Sequence, residues 1–289
     1  MSDNSSVNAK PRTTISACIV AREEQPLIGR CLAALEGVVD EIVVVHDGEC
    51  RDATLRICEA AGARVFPRPF RGGGALHEAF AAAQASGDWL LFIDADEYPS
   101  AELRARLRDL VDSPVADAYG FVRPLWNGRR YVTRHWPVVT ALFRRDLLCI
   151  TGLPQDRRRT RGRTVATDLV LEHRPGYNAV KPSVVWGKIL RRSRRDALSL
   201  SKPDGEFERF QSTPADFSIE FRLQRRAPLL SAPLVAAWRI LGPLAHGGWR
   251  ELPYGWIWSA WWGLHACMVS LNLWRMRRAS APAVPTRRR

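Results

Sequence analysis

Residues 89–99, Trp-Leu-Leu-Phe-Ile-Asp-Ala-Asp-Glu-Tyr-Pro, decide how the rest of this chain reads. The apolar run from Trp89 to Ile93 predicts a buried strand that ends in three acids within four positions. Asp94 and Asp96 lie two apart, so on a continuing strand they share one face. At the C-terminal end of a parallel strand, where open α/β sheets bind their ligands, two such carboxylates can reach one hard cation. The plainer reading is an acidic turn leading into a helix that starts near Ser100.

Upstream, strands and helices alternate. Thr14–Val20 predicts a first strand, Pro26–Leu35 a helix, Glu41–His46 a central parallel strand and Ala63–Pro67 a third. Asp47-Gly48 forms the turn after the second strand, and Asp52 is placed to cap the helix that follows. Gly72-Gly73-Gly74 precedes an alanine-rich helix over Ala75–Ala85. Three strand–helix repeats with short connections predict a doubly wound, mainly parallel α/β sheet flanked by helices. Three strand ends carry acids or their neighbours: Arg22-Glu23-Glu24, Asp47, and Asp94 with Asp96. The glycine triplet lacks the Lys-Ser/Thr of a P-loop, and no Gly-x-Gly-x-x-Gly follows the first strand, so neither an NTPase nor a dinucleotide site is supported.

These residues resemble the inverting glycosyltransferases of family 2, which have the GT-A fold. Four stretches between about residues 14 and 175 carry the likeness: Val20-Ala21-Arg22-Glu23-Glu24; Asp40 to Gly48 with Asp52 and Thr54; Gly87-Asp88-Trp89; and Asp94-Ala95-Asp96-Glu97. The resemblance implies a nucleotide-diphosphate sugar held by the first-strand loop (Ala21, Arg22, Glu24) and Asp47. It implies further that Asp94 contacts the nucleotide side and that Asp96 binds Mg2+ or Mn2+ on the diphosphate. His173 is implied as a neighbour of that metal. Two departures stand out, Glu23 where such sequences usually carry Asn, and Arg51 as an extra residue in the Asp47 turn.

Further strands are predicted over Asp117–Leu125 and Val138–Phe143, with a hairpin-type turn at Trp126–Arg129. Inverting transfer needs a general base for the acceptor hydroxyl. The family places an acid near Gln155-Asp156, so Asp156 is the expected base, with Asp168 and Glu172 as rivals. The run Arg157–Arg163 holds five arginines and reads either as a lid over the diphosphate or as an exposed loop.

Charge separates the halves. Residues 1–150 hold 18 Lys and Arg against 20 Asp and Glu, and residues 151–289 hold 25 against 10. A back half of net +15 is suited to an anionic partner. Lys188–Arg195 predicts a basic helix, and Tyr254–Trp274 is 21 residues without a charge, carrying five of the 11 tryptophans. His265, Asn272, two serines and two glycines interrupt that segment, while Pro228, Pro233 and Pro243 are expected to break the preceding one into short helices. Helices lying in the membrane interface, anchored by arginines, are the favoured expectation; a bilayer crossing and packing on the catalytic domain are the others.

The chain thus divides into a flexible leader (1–12), a GT-A catalytic domain (13–180), a basic helix and loop (181–226), membrane-associated apolar helices (227–278) and a basic tail (279–289). The six cysteines have no zinc spacing and read as reduced thiols. The expected activity is metal-dependent inverting transfer of a sugar to a glycan or lipid-linked acceptor. It is placed at the cytoplasmic face of an anionic membrane by a peripheral or monotopic protein. A degenerate GT-A scaffold is the alternative. Nucleic acid is not expected, because the aromatics cluster in an apolar run and no nucleic-acid motif appears.

Overall fold

A computed structural model describes residues 12–72, 74–153 and 158–279. Its strands are β1 (Ile15–Ala21), β2 (Glu41–Asp47), β3 (Arg64–Arg68), β4 (Trp89–Asp94), β5 (Glu97–Pro99), β6 (Ala118–Val122), β7 (Val138–Arg144), β8 (Leu148–Ile150), β9 (Arg158–Thr160) and β10 (Thr164–His173). The helices are α1 (Gln25–Leu35), α2 (Thr54–Ala60), α3 (Glu78–Gln84), α4 (Ala101–Asp112), α5 (Pro182–Ser201), α6 (Ile219–Arg226), α7 (Pro228–Ala245) and α8 (Tyr254–Ala279).

Eight strands form one sheet in the order β3-β2-β1-β4-β7-β6-β10-β5. β3, β2, β1, β4, β6 and β10 run one way, and β7 and β5 the other. The doubly wound, mainly parallel sheet is therefore present. The chain winds outward from β1 to β3 and then returns to place β4 on the other side of β1, which makes the β1/β4 boundary a topological switch point.

Alternation along the central strands builds two cores. Ile15, Ala17 and Ile19 of β1 join Trp89, Leu91 and Ile93 of β4 against Ile28, Cys31, Leu32 and Leu35 of α1 and Leu103 and Leu107 of α4. Cys18, Leu90 and Phe92 point the other way, against Ala79, Ala81 and Ala82 of α3. Strands covered on both faces need apolar residues at every position, which is why these runs are continuous rather than alternating.

Local punctuation follows the sequence closely. Gly48, at φ +99°, carries the chain out of β2. Asp52, one residue before the Ala53 N-cap of α2, accepts from the Thr54 N–H at 2.9 Å and the Gln25 N–H at 3.2 Å, so it ties the start of α2 to the start of α1. Ser100 caps α4 through the Leu103 N–H at 3.2 Å. The strand ends at Asp94 itself, and Asp94 to Glu97 turn sharply into β5. The alanine-rich helix begins with a 3-10 turn at Gly74–Leu76 before α3. Trp126 pairs with Tyr131 about a turn at Gly128, within the longer β6–β7 connection.

Glu23 takes a left-handed conformation, φ 51°, where Asn is tolerated better than other L residues. Its N–H donates to His46 Nε2 at 3.3 Å, and His46 Nδ1 in turn bonds the Gly48 carbonyl at 2.8 Å. Glu23→Asn is expected to stabilise the protein by about 1 kcal/mol, read as a higher urea midpoint at unchanged m-value.

Two expectations are corrected. The described part of the arginine run is strand in its first half and an exposed bend in its second: β9 pairs antiparallel with β8, and residues 161–163 follow as the bend, none of them lining the cleft. Arg158 lies over the Phe92 ring and 3.6 Å from Glu78, while Arg161 donates to the Gln211 carbonyl at 2.7 Å. Strand pairing and these partners hold the run at the sheet margin. Pro233 and Pro243 do not divide α7, which is continuous over 18 residues. Each costs a backbone hydrogen bond, but α7 packs along α8 for most of its length, and tertiary packing of this kind outweighs propensity. Gly263 allows the two helices to approach closely, since a Cβ there would meet the Ile240 side chain at 2.6 Å.

The polar residues of the tryptophan-rich segment face inward. His265 Nε2 sits 3.3 Å from Asp196 of α5, Asn272 donates to Ser193 at 3.3 Å, and Gln224 donates to Ser270 at 3.1 Å. They form the seams between helices, and tryptophans occupy the outer and cleft-facing positions. By length and composition α7, rather than α8, is the helix among the described residues suited to cross a membrane.

Candidate active site

The C-terminal ends of five like-oriented strands converge on one cleft of about 1020 Å³. β1 brings Ala21 and Arg22, β2 brings Asp47, β4 brings Asp94 and Asp96, β6 is followed by Arg123, and β10 ends in His173. Glu24, from the β1 loop, lies among them. All seven expected binding and metal residues (Ala21, Arg22, Glu24, Asp47, Asp94, Asp96 and His173) therefore line a single cavity at the switch point.

The Asp94–Glu97 turn is held from below. Glu97 is buried; it accepts from the Asp94 N–H at 3.0 Å and pairs with Arg123 at 2.7 Å. Burial first, then the Asp94 charge, pushes its carboxyl up from the ordinary range, with Arg123 opposing. β5 folds back to pair with β10, placing Glu97 opposite His173 in the register. That pairing delivers His173 Nε2 to 3.2 Å from Asp96 Oδ2. Burial alone would raise the Asp96 carboxyl; the hydrogen bond and charge of His173, helped by Arg123, outweigh it and bring it down.

Asp47 is almost fully buried, and its oxygens accept from the Arg71 N–H at 2.6 Å, the Gly72 N–H at 3.0 Å and His77 Nε2 at 2.9 Å. Burial lowers the pKa of His77, so its neutral ring donates to the carboxylate. Asp47 thus fastens the 71–72 loop to the cleft wall. Beside it, Arg22 stacks 4.1 Å from the centroid of Phe70, whose ring is exposed at the rim.

Glu24 is pushed up to about 7, by burial first and then by the charges of Asp96, Asp94 and Asp52. A divalent cation would relieve this crowding. No group of three His, Cys, Asp or Glu side chains gathers at metal-binding distance among the described residues. Asp96 and His173 would therefore supply part of a ligand shell completed by phosphate and water, the usual pattern for Mg2+ and for similarly hard ions. The residues fit such an ion.

Asp156 lies outside the described residues. Its rivals do not line the cleft: Asp168 is exposed on β10, and Glu172 bonds the Tyr131 hydroxyl and Arg174, each at 2.9 Å. Strand alternation explains the difference, since Glu172 and His173 face opposite sides of β10.

The opposite wall comes from residues that sequence reasoning did not single out. Lys188 and Arg192, one turn apart on α5, face the acids. Lys188 donates to the Tyr177 hydroxyl at 2.6 Å, and burial, then Arg192, brings its ammonium down to about 8. Trp136, Pro243, His246, Trp258 and Trp262 complete that side, so α7 and α8 are part of the cleft wall. The i, i+4 spacing of Lys188 with Arg192 and of Trp258 with Trp262 was legible, but the packing direction of their helices was not.

Comparison with known proteins agrees with this geometry. Residues 16–167 match the family model Glycosyl transferase family 2. An uncharacterized glycosyltransferase of Rickettsia felis is 37% identical over 105 residues, 36% of this chain and 36% of that one. A lipopolysaccharide core biosynthesis glycosyltransferase, LpsC, of Rhizobium meliloti is 35% identical over 106 residues, 35% of this chain and 38% of the relative. The chain spans little more than a third of the length of these relatives. Among solved structures, a mannosyltransferase of Pyrobaculum calidifontis in complex with GDP-Man and Mn2+ aligns over 91% of this chain and 88% of its own, at TM-score 0.49 and 17% identity. With a family model matching more than half of its length, the chain belongs to glycosyl transferase family 2.

Proposed function

We propose that this protein transfers a sugar, with inversion, from a nucleotide-diphosphate donor to a glycan or lipid-linked acceptor at the cytoplasmic face of a membrane. The observation that carries this reading is the convergence of Asp94, Asp96, His173, Arg22 and Glu24 in one cleft at the β1/β4 switch point. In this reading the nucleotide lies along the β1 loop and the Asp47-held 71–72 segment, with Arg22 and Phe70 beside the base. Asp96 and His173 would hold Mg2+ or Mn2+, which when bound neutralises the charge that develops on the departing diphosphate. Lys188 and Arg192 face that position and offer positive charge from the opposite wall.

The acceptor enters against the aromatic wall of Trp136, Trp258 and Trp262, flat apolar faces suited to the C–H faces of a sugar ring. Asp156 is the proposed base. It takes the proton of the attacking hydroxyl as the bond to the anomeric carbon forms and the bond to the diphosphate breaks. The relative involved in lipopolysaccharide core synthesis supports a cell-envelope acceptor.

Release of sugar from a panel of nucleotide sugars with Mn2+ tests this, and pH adds a signature. Lys188 is cationic below about 8 and loses its charge as pH rises through that value. Donor turnover is therefore expected to fall above about pH 8 in the wild type and to hold further into the alkaline range in Lys188→Arg. No turnover of any nucleotide sugar, with the fold intact, would favour the degenerate scaffold.

A further inference from the structure

Every exposed residue of α7 is apolar. Leu229, Leu230, Leu234, Trp238 and Leu241 project outward at helical spacing; Leu230 is 87% exposed and Trp238 71%. The buried face of the same helix includes Ser231. Its other buried residues, Pro228, Val235 and Leu244, are apolar, so α7 lacks the polar outer face of a helix on a water-facing surface, and an apolar patch of this kind marks an interaction site. The sole charge within α7, Arg239, turns away to pair with Glu220 at 2.7 Å. Trp249, Leu252, Trp256 and Ile257, at the corner leading into α8, are also exposed.

Cationic side chains collect at one end of this stripe. α6 ends in Arg225 and Arg226 immediately before α7, with Arg222 exposed one turn earlier. The far end of α8 arrives at the same place, since Arg277 donates to the Arg225 carbonyl and Arg278 follows it. Beneath Leu234 and Trp238 a second cleft of about 740 Å³ opens, with Arg161 and Arg222 in its lining. An apolar face with a cationic collar is complementary to hydrocarbon bordered by anionic headgroups.

We propose that this face docks the protein on an anionic bilayer, with the α7 stripe immersed at the acyl boundary and phospholipid headgroups held at the arginine collar. The helix lies in the interface and does not cross it. α7 is joined along its length to α8, and α8 to α5, which carries Lys188, Arg191, Arg192, Arg194 and Arg195. A crossing α7 would draw that basic helix into hydrocarbon, where charged side chains are strongly disfavoured. Docked flat, α7 keeps Pro243, its contribution to the cleft wall, beside the membrane surface. The inference rests on the membrane-face part of the functional reading and specifies which surface makes the contact.

Co-sedimentation of the full chain with phosphatidylglycerol-containing vesicles and with neutral phosphatidylcholine vesicles tests it. The wild type is expected to sediment with the anionic vesicles. Leu230→Glu combined with Leu234→Glu is expected to lose at least about tenfold in binding while keeping its circular dichroism, both side chains being outside the core. Arg222→Ser and Arg226→Ser should each weaken anionic binding about fivefold and leave neutral vesicles unaffected. If the double variant sediments as well as the wild type, another surface makes the contact and the α7 assignment is wrong, while the membrane-face reading stands. If the wild type binds neither vesicle, both fail. A wild-type dimer that these glutamates convert to monomer, without vesicle binding, would mean that a second copy covers the stripe.

Discussion

An Asp96→Ala variant is expected to remain folded and to lose at least about 10³-fold in sugar transfer. Asp96 contributes little to the core: its side chain is one-fifth exposed, and its backbone carbonyl, which the substitution keeps, accepts the Arg174 N–H at 2.9 Å. What the substitution removes is the carboxylate facing His173 across 3.2 Å. Stabilising the charge on the departing diphosphate and holding the donor both depend on this carboxylate, so the loss should appear in kcat and in KM together. Donor binding should in addition cease to respond to Mn2+. Thermal unfolding of the variant should match the wild type to within a few degrees, which separates loss of chemistry from loss of fold. Asp96→Asn, which keeps the hydrogen bond to His173 but not the charge, should be nearly as impaired.

Glu97→Ala is expected to do the reverse, costing about 3 kcal/mol of stability and disordering the turn that presents the acids. Glu97 is buried and serves two groups at once, the Asp94 N–H at 3.0 Å and Arg123 at 2.7 Å. Removing it leaves the Asp94 backbone donor without its acceptor and takes the 2.7 Å carboxylate partner from Arg123, and a donor left buried in that state costs more than the net value of the bond it lost. Glu97→Gln separates the two contributions. Its amide oxygen can still accept from Asp94, so it should recover the part of the stability that does not depend on the charge facing Arg123. Urea unfolding of the three proteins measures both steps. Equal stability of Glu97→Ala and wild type would mean that the turn is held by other contacts.

These two variants bear on a motif that reads in sequence as three acids within four positions, with Asp94 and Asp96 on one face and no role assigned to Glu97. In the structure they divide into two that face the cleft and one that builds the turn beneath them. The strand Trp89–Ile93 and the position of Asp94 and Asp96 at its end were legible because a buried parallel strand announces itself by an unbroken apolar run and its C-terminal end by polarity. The first three strands were legible for the same reason. Glu97 was not separable from its neighbours, since its role depends on β5 folding back onto β10, a pairing between residues about 75 apart in sequence.

The far wall of the cleft shows a different limit. The basic helix over Lys188–Arg195 and the tryptophan-rich segment were both visible as helices, yet their spacing does not state which neighbour a helix packs against. His265, Asn272 and the small residues of α8 read as interruptions of an apolar run, when they are the seams to α5, α6 and α7. Pro233 and Pro243 read as breaks because local propensity was not offset by any packing visible in sequence. Within residues 227–278, all expected at a membrane, the proposed contact falls on α7, whose outer face carries the exposed leucines and Trp238.

Calorimetric titration of the full chain with UDP and with GDP, each with and without Mn2+, distinguishes a metal-dependent donor site from a degenerate one. One of the two nucleotides is expected to bind, binding is expected to require the metal, and Asp96→Ala is expected to abolish the metal requirement together with most of the affinity. Binding of neither nucleotide, or binding that is indifferent both to Mn2+ and to the loss of Asp96, would contradict a metal-dependent donor site.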